Sequence, residues 1–202
     1  MLVKLELGIN YVSNFEYHQD KEYLSSSDYK LLLKDPGEFY KKKYLSTEKQ
    51  EEKSYLINGS YVHSAILEPH LTDKEFIVYP ELRKAGAAYK AFEAMHPGKN
   101  ILNKGQFESC RRIVRGYQAL PEAVALISGG VSEHTICVDF NGIKTKVRAD
   151  YINIEAGYIV DIKTSAYDVD VDTFRATIEH WSYDLSAALY KKVMEQFYGK
   201  KF

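Results

Sequence analysis

Cysteine is scarce: Cys110 and Cys137 are the only two in 202 residues. Two thiols cannot build a four-thiolate cluster or a cysteine-rich zinc site, and they give no disulfide scaffold, so the expected compartment is reducing. No stretch of about 18 apolar residues occurs. The N-terminus MLVKLELGINYV has no basic segment followed by an uninterrupted apolar run. A soluble, cytoplasmic chain with no membrane partner is the expectation. An excess of charge of one sign is also missing: 27 Lys+Arg against 28 Asp+Glu leave −1. There is no global basic field, so any nucleic-acid site has to be a local patch. Neither an internal repeat nor a Pro-, Gly- or Ser-rich linker divides the chain. What is present is an ordinary globular composition, 45% hydrophobic and 27% charged, long enough for one domain with a real core.

The first half reads as helices separated by turn formers. Ser25, Ser26 and Ser27 offer N-caps to DYKLLLKD, and Pro36 interrupts ahead of GEFYKKKYL, which predicts two short helices. Lys41 to Lys43 read as surface, and residues 46–53 (STEKQEEK) as a solvated loop or frayed helix end. Asn58-Gly59 then precede SYVHSAILEP, a helix on which Val62, Ala65 and Ile66 share a face and which Pro69 closes. Residues 83–95 predict a helix that stops at Pro97-Gly98. On it, Arg83, Lys84 and Lys90 would meet phosphates or, as is commoner for such charges, water. Residues 103–127 predict one or two further helices with a break at Pro121 and a stop at Gly129-Gly130. Both cysteines read as buried and inert.

After Gly130 the apolar repeat drops from helical to two. EHTICVDF and IKTKVRAD are half-buried strands, and Asn141-Gly142 between them is the preferred two-residue hairpin turn. A third apolar run, YIVDIKT at 158–164, extends the hairpin to a meander. From Val171 on, Phe174, Ile178, Trp181, Leu185, Leu189 and Val193 recur at helical spacing, so one or two amphipathic helices pack on the sheet. The two-residue turn pairs Phe140 with Ile143. Counting outward sets Asp139 against Lys144 and Glu133 against Asp150. A turn over residues 154–157 then sets Asp150 against Asp161, with Lys163 on the same face because strand side chains alternate.

Directly opposed like charges repel. Asp161 and Lys163 also interrupt the apolar run Ile159, Val160, Ile162, where an unpaired buried acid is costly. Either the strand ends are solvated and the carboxylates splay, with Lys163 forming an edge salt bridge, or the acids share a cation. Clustered carboxylates without thiolates and with few imidazoles suit Mg²⁺ or Mn²⁺ rather than zinc. Such an ion bridges a phosphoryl oxygen and a water, and an adjacent lysine eases the loss of the water's proton or neutralises transition-state charge.

An acid on one strand and Asp-x-Lys on the next, here RAD at 148–150 and VDIKT at 160–164, resembles the PD-(D/E)xK nuclease superfamily. The surrounding text resembles RecE-type exonucleases (exonuclease VIII). NGSYVHSAILEP is similar to their histidine-bearing helix and LSSSDYKLLLKDPGEFY to their helical entry. KAGAAYKAF, VRAD, IVDIKTS and YDLSAALY follow in that family's order, so the likeness runs from about Leu24 to Tyr190. It implies an α+β fold with a restriction-endonuclease-like core, a small mainly antiparallel sheet flanked by helices. It also implies a single nuclease domain over 1–202, with a helical part to about 130 and the catalytic meander and helix after it. Residue by residue, it implies Asp150 and Asp161 as metal ligands, Lys163 as the catalytic lysine and His63 as a further ligand or site residue. Glu133 corresponds to an upstream acid, and the Ile162 carbonyl to a backbone ligand. Tyr183, Ser186 and Tyr190 fall on the late helix as DNA-contacting or supporting groups.

The resemblance further implies Mg²⁺-dependent 5′-to-3′ resection of double-stranded DNA ends by a ring-shaped homo-oligomer. The implied partner is a single-strand annealing protein, and the setting a phage-infected or bacterial cell. Relatives carry Gln four residues before the helix tyrosine, where this chain has Ser186 before Tyr190. Tyr183, Asp184 or a water takes over, or the activity is altered. A structure-specific endonuclease and an inactive DNA-binding homologue are the alternatives on the same core.

Overall fold

The computed structural model describes residues 4–46, 54–165 and 169–202. These fall into two compact units. The first comprises Met1–Lys49, Gly129–Asp161 and Ser165–Phe202; the second comprises Gln50–Ser128 and Ile162–Thr164.

The first unit opens with β1 (Gly8–Asn10) and α1 (Asn14–Gln19), followed by α2 (Ser26–Lys34) and α3 (Pro36–Tyr40). The serine run caps as expected: the Ser25 hydroxyl accepts the Asp28 amide and the Asp28 carboxylate accepts the Ser25 amide, two helix-end donors satisfied reciprocally. Pro36 starts α3 at the first-turn position where its missing N–H is harmless. A π-helical turn, Lys41–Leu45, follows and turns Lys43 inward. The expectation that Lys41 to Lys43 are all surface fails at Lys43. It is 8% exposed, with its ammonium 2.8 Å from the Asp28 carboxylate and donating to the Tyr23 carbonyl. Of the expected loop at 46–53, all but Ser46 lies outside the described residues.

The second unit contains α4 (Ser54–Leu67), α5 (Pro69–Glu75), β2 (Phe76–Tyr79), α6 (Gly86–Met95), β3 (Asn100–Asn103), α7 (Lys104–Gln118) and α8 (Pro121–Leu126). β2 and β3 pair in parallel around the α6 crossover. Their apolar side chains join α4 and α7 in a core of Val62, Phe76, Leu102 and Cys110. Asn58 and Gly59 do not precede the helix but lie inside it. Gly59 is where the chain at Thr164 comes close, since a Cβ there would stand 3.5 Å from the Thr164 hydroxyl. The helix predicted from 83 begins only at Gly86, so Arg83 and Lys84 precede it.

Back in the first unit, β4 (Val131–Phe140), β5 (Ile143–Asn153) and β6 (Tyr158–Val160) complete an antiparallel sheet of order β1-β4-β5-β6. Asn141 and Gly142 both take positive φ, 54° and 81°, the signature of the predicted hairpin turn. Phe140 pairs with Ile143, Asp139 with Lys144 and His134 with Ala149, as counted from that turn. Helices α9 (Val171–Trp181) and α10 (Tyr183–Tyr198) follow. Leu189, Val193 and Met194 of α10 pack on Ile136, Val138, Val147 and Ala149 of the sheet. The opposite face holds Leu5, Tyr23 and Cys137.

Both cysteines are buried, as expected, and burial pushes their thiols up, Cys110 to about 11 and Cys137 to about 12. An acid whose folded value exceeds its unfolded one stabilises fully below the unfolded value, and that contribution is lost as pH climbs through the folded one. The unfolding free energy from denaturant titration should therefore fall above about pH 9, by up to about 1.4 kcal/mol per pH unit for each thiol. A Cys110→Ala/Cys137→Ala variant should flatten that alkaline limb; an unchanged slope would mean the thiols are not the source.

Candidate active site

The site residues are carried by the β4–β5–β6 meander, by α10 and by the segment that leaves β6. Register on both sides is as the turns dictate. β5 pairs with β6 through Tyr151 with Val160, Ile152 with Ile159 and Asn153 with Tyr158. The next position along that ladder sets Asp150 toward Asp161, at the end where β6 stops. Asp150 is half-buried and Asp161 exposed.

Across the other ladder the count from the turn continues without a slip past Glu133 and Asp150, although these two are not among the paired residues. Pairing runs through Val131 with Ile152 and Ser132 with Tyr151, then resumes at His134 with Ala149. Glu133 takes a left-handed φ of 50°, a conformation uncommon for a residue with a side chain. Ala149 and Ile152, three residues apart, join the same core cluster, which strict alternation forbids, and the interruption lies between them. The Glu133 carboxylate accepts from Nε of Arg148, which also donates to the Val12 carbonyl. The repulsion expected of opposed acids is thus answered at Glu133 by an arginine. Arg148 pairs with Thr135, diagonal to Glu133 across the ladder, a neighbour that the register contains but that single-pair counting misses.

Three carboxylates nonetheless act on one side chain. Burial pushes the Tyr190 phenol up to about 12, a hydrogen bond with the Ser26 side chain opposes the rise, and Asp161, Asp150 and Glu133 add to it. All three acids therefore lie within electrostatic reach of a hydroxyl on α10. Ser26, a buried member of the capping run, was not anticipated as a site neighbour. Ser186 is 7% exposed on α10. Tyr183 is half-buried with the Lys30 ammonium 5.4 Å from its ring centre.

The predicted third strand over 158–164 stops at Val160, so Lys163 is not a strand residue sharing a face with Asp161. The reason lies in the second unit. There the Ile162 carbonyl, instead of entering a ladder, is 2.9 Å from Nε2 of His63, while Nδ1 is 2.8 Å from the Gly59 carbonyl one turn back on α4. Carbonyls only accept, so both contacts are hydrogen bonds together when the imidazole carries both protons. Each ring nitrogen is committed to a carbonyl, which makes His63 a clamp on the Ile162 backbone. Lys163 is exposed, its ammonium 3.5 Å from the Ile162 carbonyl. Arg83 is exposed, whereas Lys84 is half-buried and donates to the Ile101 carbonyl at 2.9 Å, which ties it to its own fold. Among the described residues no group of three or more His, Cys, Asp or Glu side chains is drawn together closely enough to hold a metal ion.

No helix among the described residues is long and apolar enough to cross a membrane. None of the curated proteins matches this chain. Its fold is shared with a crystal structure from Eubacterium rectale described as a "putative exonuclease", with a TM-score of 0.65 at 21% identity over 95% of this chain and 70% of the other. In this chain that fold is an α+β core with a small antiparallel sheet flanked by helices. Residues 25–202 match the model of the PDDEXK-like domain of unknown function (DUF3799), and the chain belongs to that family.

Proposed function

We propose that the chain is a Mg²⁺-dependent deoxyribonuclease, a single nuclease domain that hydrolyses linear double-stranded DNA from an end. The observation that carries this reading is the end of the β5–β6 ladder, where the step beyond the last pair, Tyr151 with Val160, sets Asp150 toward Asp161. Membership of a PDDEXK-like family supports it, as does the shared fold with a protein described as an exonuclease. The donor chemistry fits a hard cation: the carboxylates of Asp150 and Asp161, in a chain whose two cysteines are both buried. When bound there, Mg²⁺ or Mn²⁺ supplies Lewis-acid polarisation of a phosphate oxygen.

The remaining roles belong to the chain's own groups. The exposed Lys163 ammonium neutralises charge that builds on the phosphate in the transition state. Tyr190, whose pKa burial raises to about 12, stays a neutral phenol beside the acids throughout the working pH range. Glu133, held by Arg148, adds negative potential, and His63 either fixes the Ile162 carbonyl or exchanges a carbonyl for an ion. The finer reading follows the RecE type: 5′-to-3′ resection in recombination or repair by a homo-oligomeric ring, in the cytoplasm, with a single-strand annealing protein.

End-labelled linear duplex and closed circular DNA, each with Mg²⁺ or EDTA, test the reading. Degradation of the linear duplex alone, abolished by EDTA, is the expected result. Cutting of the circle would assign an endonuclease, and inertness toward both a DNA-binding homologue.

Metal should also report through stability. A cation bound only to the folded state at about a hundred times its Kd stabilises by about 2.7 kcal/mol, and about 1 kcal/mol moves the melting temperature of a chain this size by roughly 2 to 4 °C. Millimolar Mg²⁺ should raise melting accordingly, and Asp150→Asn should raise apo stability and blunt that response. Indifference of both proteins to Mg²⁺ would remove the metal site from the proposal.

A further inference from the structure

Gly199 ends α10 in the left-handed conformation, φ 65°, and turns the chain back along the helix. A groove of about 460 Å³ results, lined by Lys191, Lys192, Glu195, Gly199, Lys200 and Lys201. Four lysines and one glutamate line it, in a chain whose net charge is only −1. Glu195 is 3.9 Å from Lys191 and 3.6 Å from Lys192, whose side chains are 53% and 67% exposed. Exposed pairs of this kind are weak and open readily to a competing anion. Lys200 anchors the tail, donating to the Ile154 and Glu155 carbonyls at 2.6 and 3.0 Å, and the Lys201 carbonyl abuts Gly157. Glu155 is the one acid of that turn.

The location matters as much as the charge. The turn joins the two strands that carry the acids: Asp150 lies three residues before Asn153 at the end of β5, and Asp161 four residues after Gly157. At about 3.3 Å per strand residue the groove is on the order of 10–13 Å from the acids along the ladder. At its other end the groove begins beside the acids' neighbour, since Lys191 directly follows Tyr190. A strand whose phosphate sits at the acids has its next few phosphates within reach of these lysines, as successive phosphates of one strand advance about 3.4 Å along the duplex axis.

We propose that the Lys191–Lys192–Lys201 groove is a docking surface for the phosphate backbone of duplex DNA, a few nucleotides from the phosphate bound at Asp150 and Asp161. The inference rests on the nuclease reading for its register, and it supplies the local basic patch that a chain of near-zero net charge needs in order to hold a polyanion. Lys191, Lys192 and Lys201 are the movable groups, whereas Lys200 is committed to the turn.

The test is binding of a fluorescein-labelled blunt duplex, followed by anisotropy in EDTA across a salt series. Lys191→Ala/Lys192→Ala/Lys201→Ala should weaken binding and make the slope of log K against log salt shallower by about 0.9 for each phosphate that the lysines no longer neutralise. Glu195→Gln should tighten binding. Lys34→Ala/Lys41→Ala/Lys42→Ala, exposed lysines with the same total charge, should leave the slope unchanged. In Mg²⁺ the groove variant should raise KM with kcat preserved. An unchanged slope in the groove variant, an equal effect of the control triple, or no gain from Glu195→Gln overturns the proposal. If the wild type cuts no DNA yet its binding depends on the groove lysines, the nuclease reading fails and the docking surface stands. If it cuts DNA and the groove variant binds normally, only the docking surface fails.

Discussion

Asp161→Ala, assayed on end-labelled linear duplex with saturating Mg²⁺, is expected to lose at least about a hundredfold in turnover, since even the partners behind a metal's ligands are worth 10–100-fold. Folding should survive the change. Asp161 is exposed and stands just beyond the last paired residue of β6, so its removal opens no cavity and breaks no ladder bond. Melting in EDTA should stay at the wild-type value or rise, because one of three carboxylates acting on Tyr190 is gone. Lys163→Ala should match the loss in turnover by a different route. Its ammonium is exposed, so the substitution removes positive charge from the phosphate's surroundings without disturbing packing. The two can be told apart by metal: raising Mg²⁺ should rescue neither in rate, but Mg²⁺ should still stabilise Lys163→Ala against melting and not Asp161→Ala. Wild-type turnover in either variant would remove that residue from the site.

The largest effect on stability should come from Lys146 of β5, which is paired with Cys137. Its side chain is 3% exposed, and its ammonium donates to the Tyr17 and Asp20 carbonyls at 2.6 and 2.7 Å and lies 3.5 Å from the Asp20 carboxylate, itself 6% exposed. Burial pulls its pKa down and Lys43 adds to the fall, while Asp20 and Asp28 oppose it. Truncation leaves a buried carboxylate with its counter-charge gone, an event that typically costs about 3–5 kcal/mol. Asp20 keeps one donor, the Tyr23 amide at 3.0 Å, which places Lys146→Ala near the lower end. The melting temperature should drop by roughly 6–12 °C at about 2 to 4 °C per kcal/mol. Lys146→Met/Asp20→Asn keeps the volume and removes both charges, so it should recover a substantial part of that loss. A double variant no more stable than Lys146→Ala would show that the bonds to the two carbonyls, not the charge pair, dominate.

What the sequence made legible was local. Asn141-Gly142 dictates the hairpin, and counting from it placed every observed β4–β5 pair; the second turn did the same for β5 and β6. Serine caps and prolines marked α2, α3 and α8 for the same reason, because the groups that satisfy a helix end lie within three residues of it. The departures are all non-local. YIVDIKT reads as one strand, yet the Ile162 carbonyl is claimed by His63, 99 residues away in sequence. Asn58-Gly59 reads as a breaker, yet a helix passes through it where Thr164 comes close. Lys43 reads as surface, yet Asp28 and the Tyr23 carbonyl draw it in. The four-residue β2 and β3 went unseen, since runs that short between helices carry too few residues for a period to register. At the candidate site, the register that sets Asp150 toward Asp161 was readable, whereas the Arg148 partner of Glu133 and the Ser26 partner of Tyr190 depend on diagonal and interhelical neighbours.

Helix α9 stands apart from the other α-helices of the first unit in having no buried residue. Val171, Phe174 and Trp181 are 74%, 41% and 58% exposed, although its entry is capped by Asp170, which accepts the Asp172 and Thr173 amides. Eleven residues are fewer than the roughly 12–15 at which an isolated helix becomes even marginally stable in water. Its cap and its own backbone bonds hold it, with little help from a core. Opening of α9 is therefore a local event whose free energy lies well below that of global unfolding, whereas α10, with Val193 and Met194 fully buried, opens only with the sheet. The last two helices thus belong to different cooperative units, and the left-handed Ser182 that joins them is the boundary across which α9 can unfold and refold while the acids' scaffold stays intact.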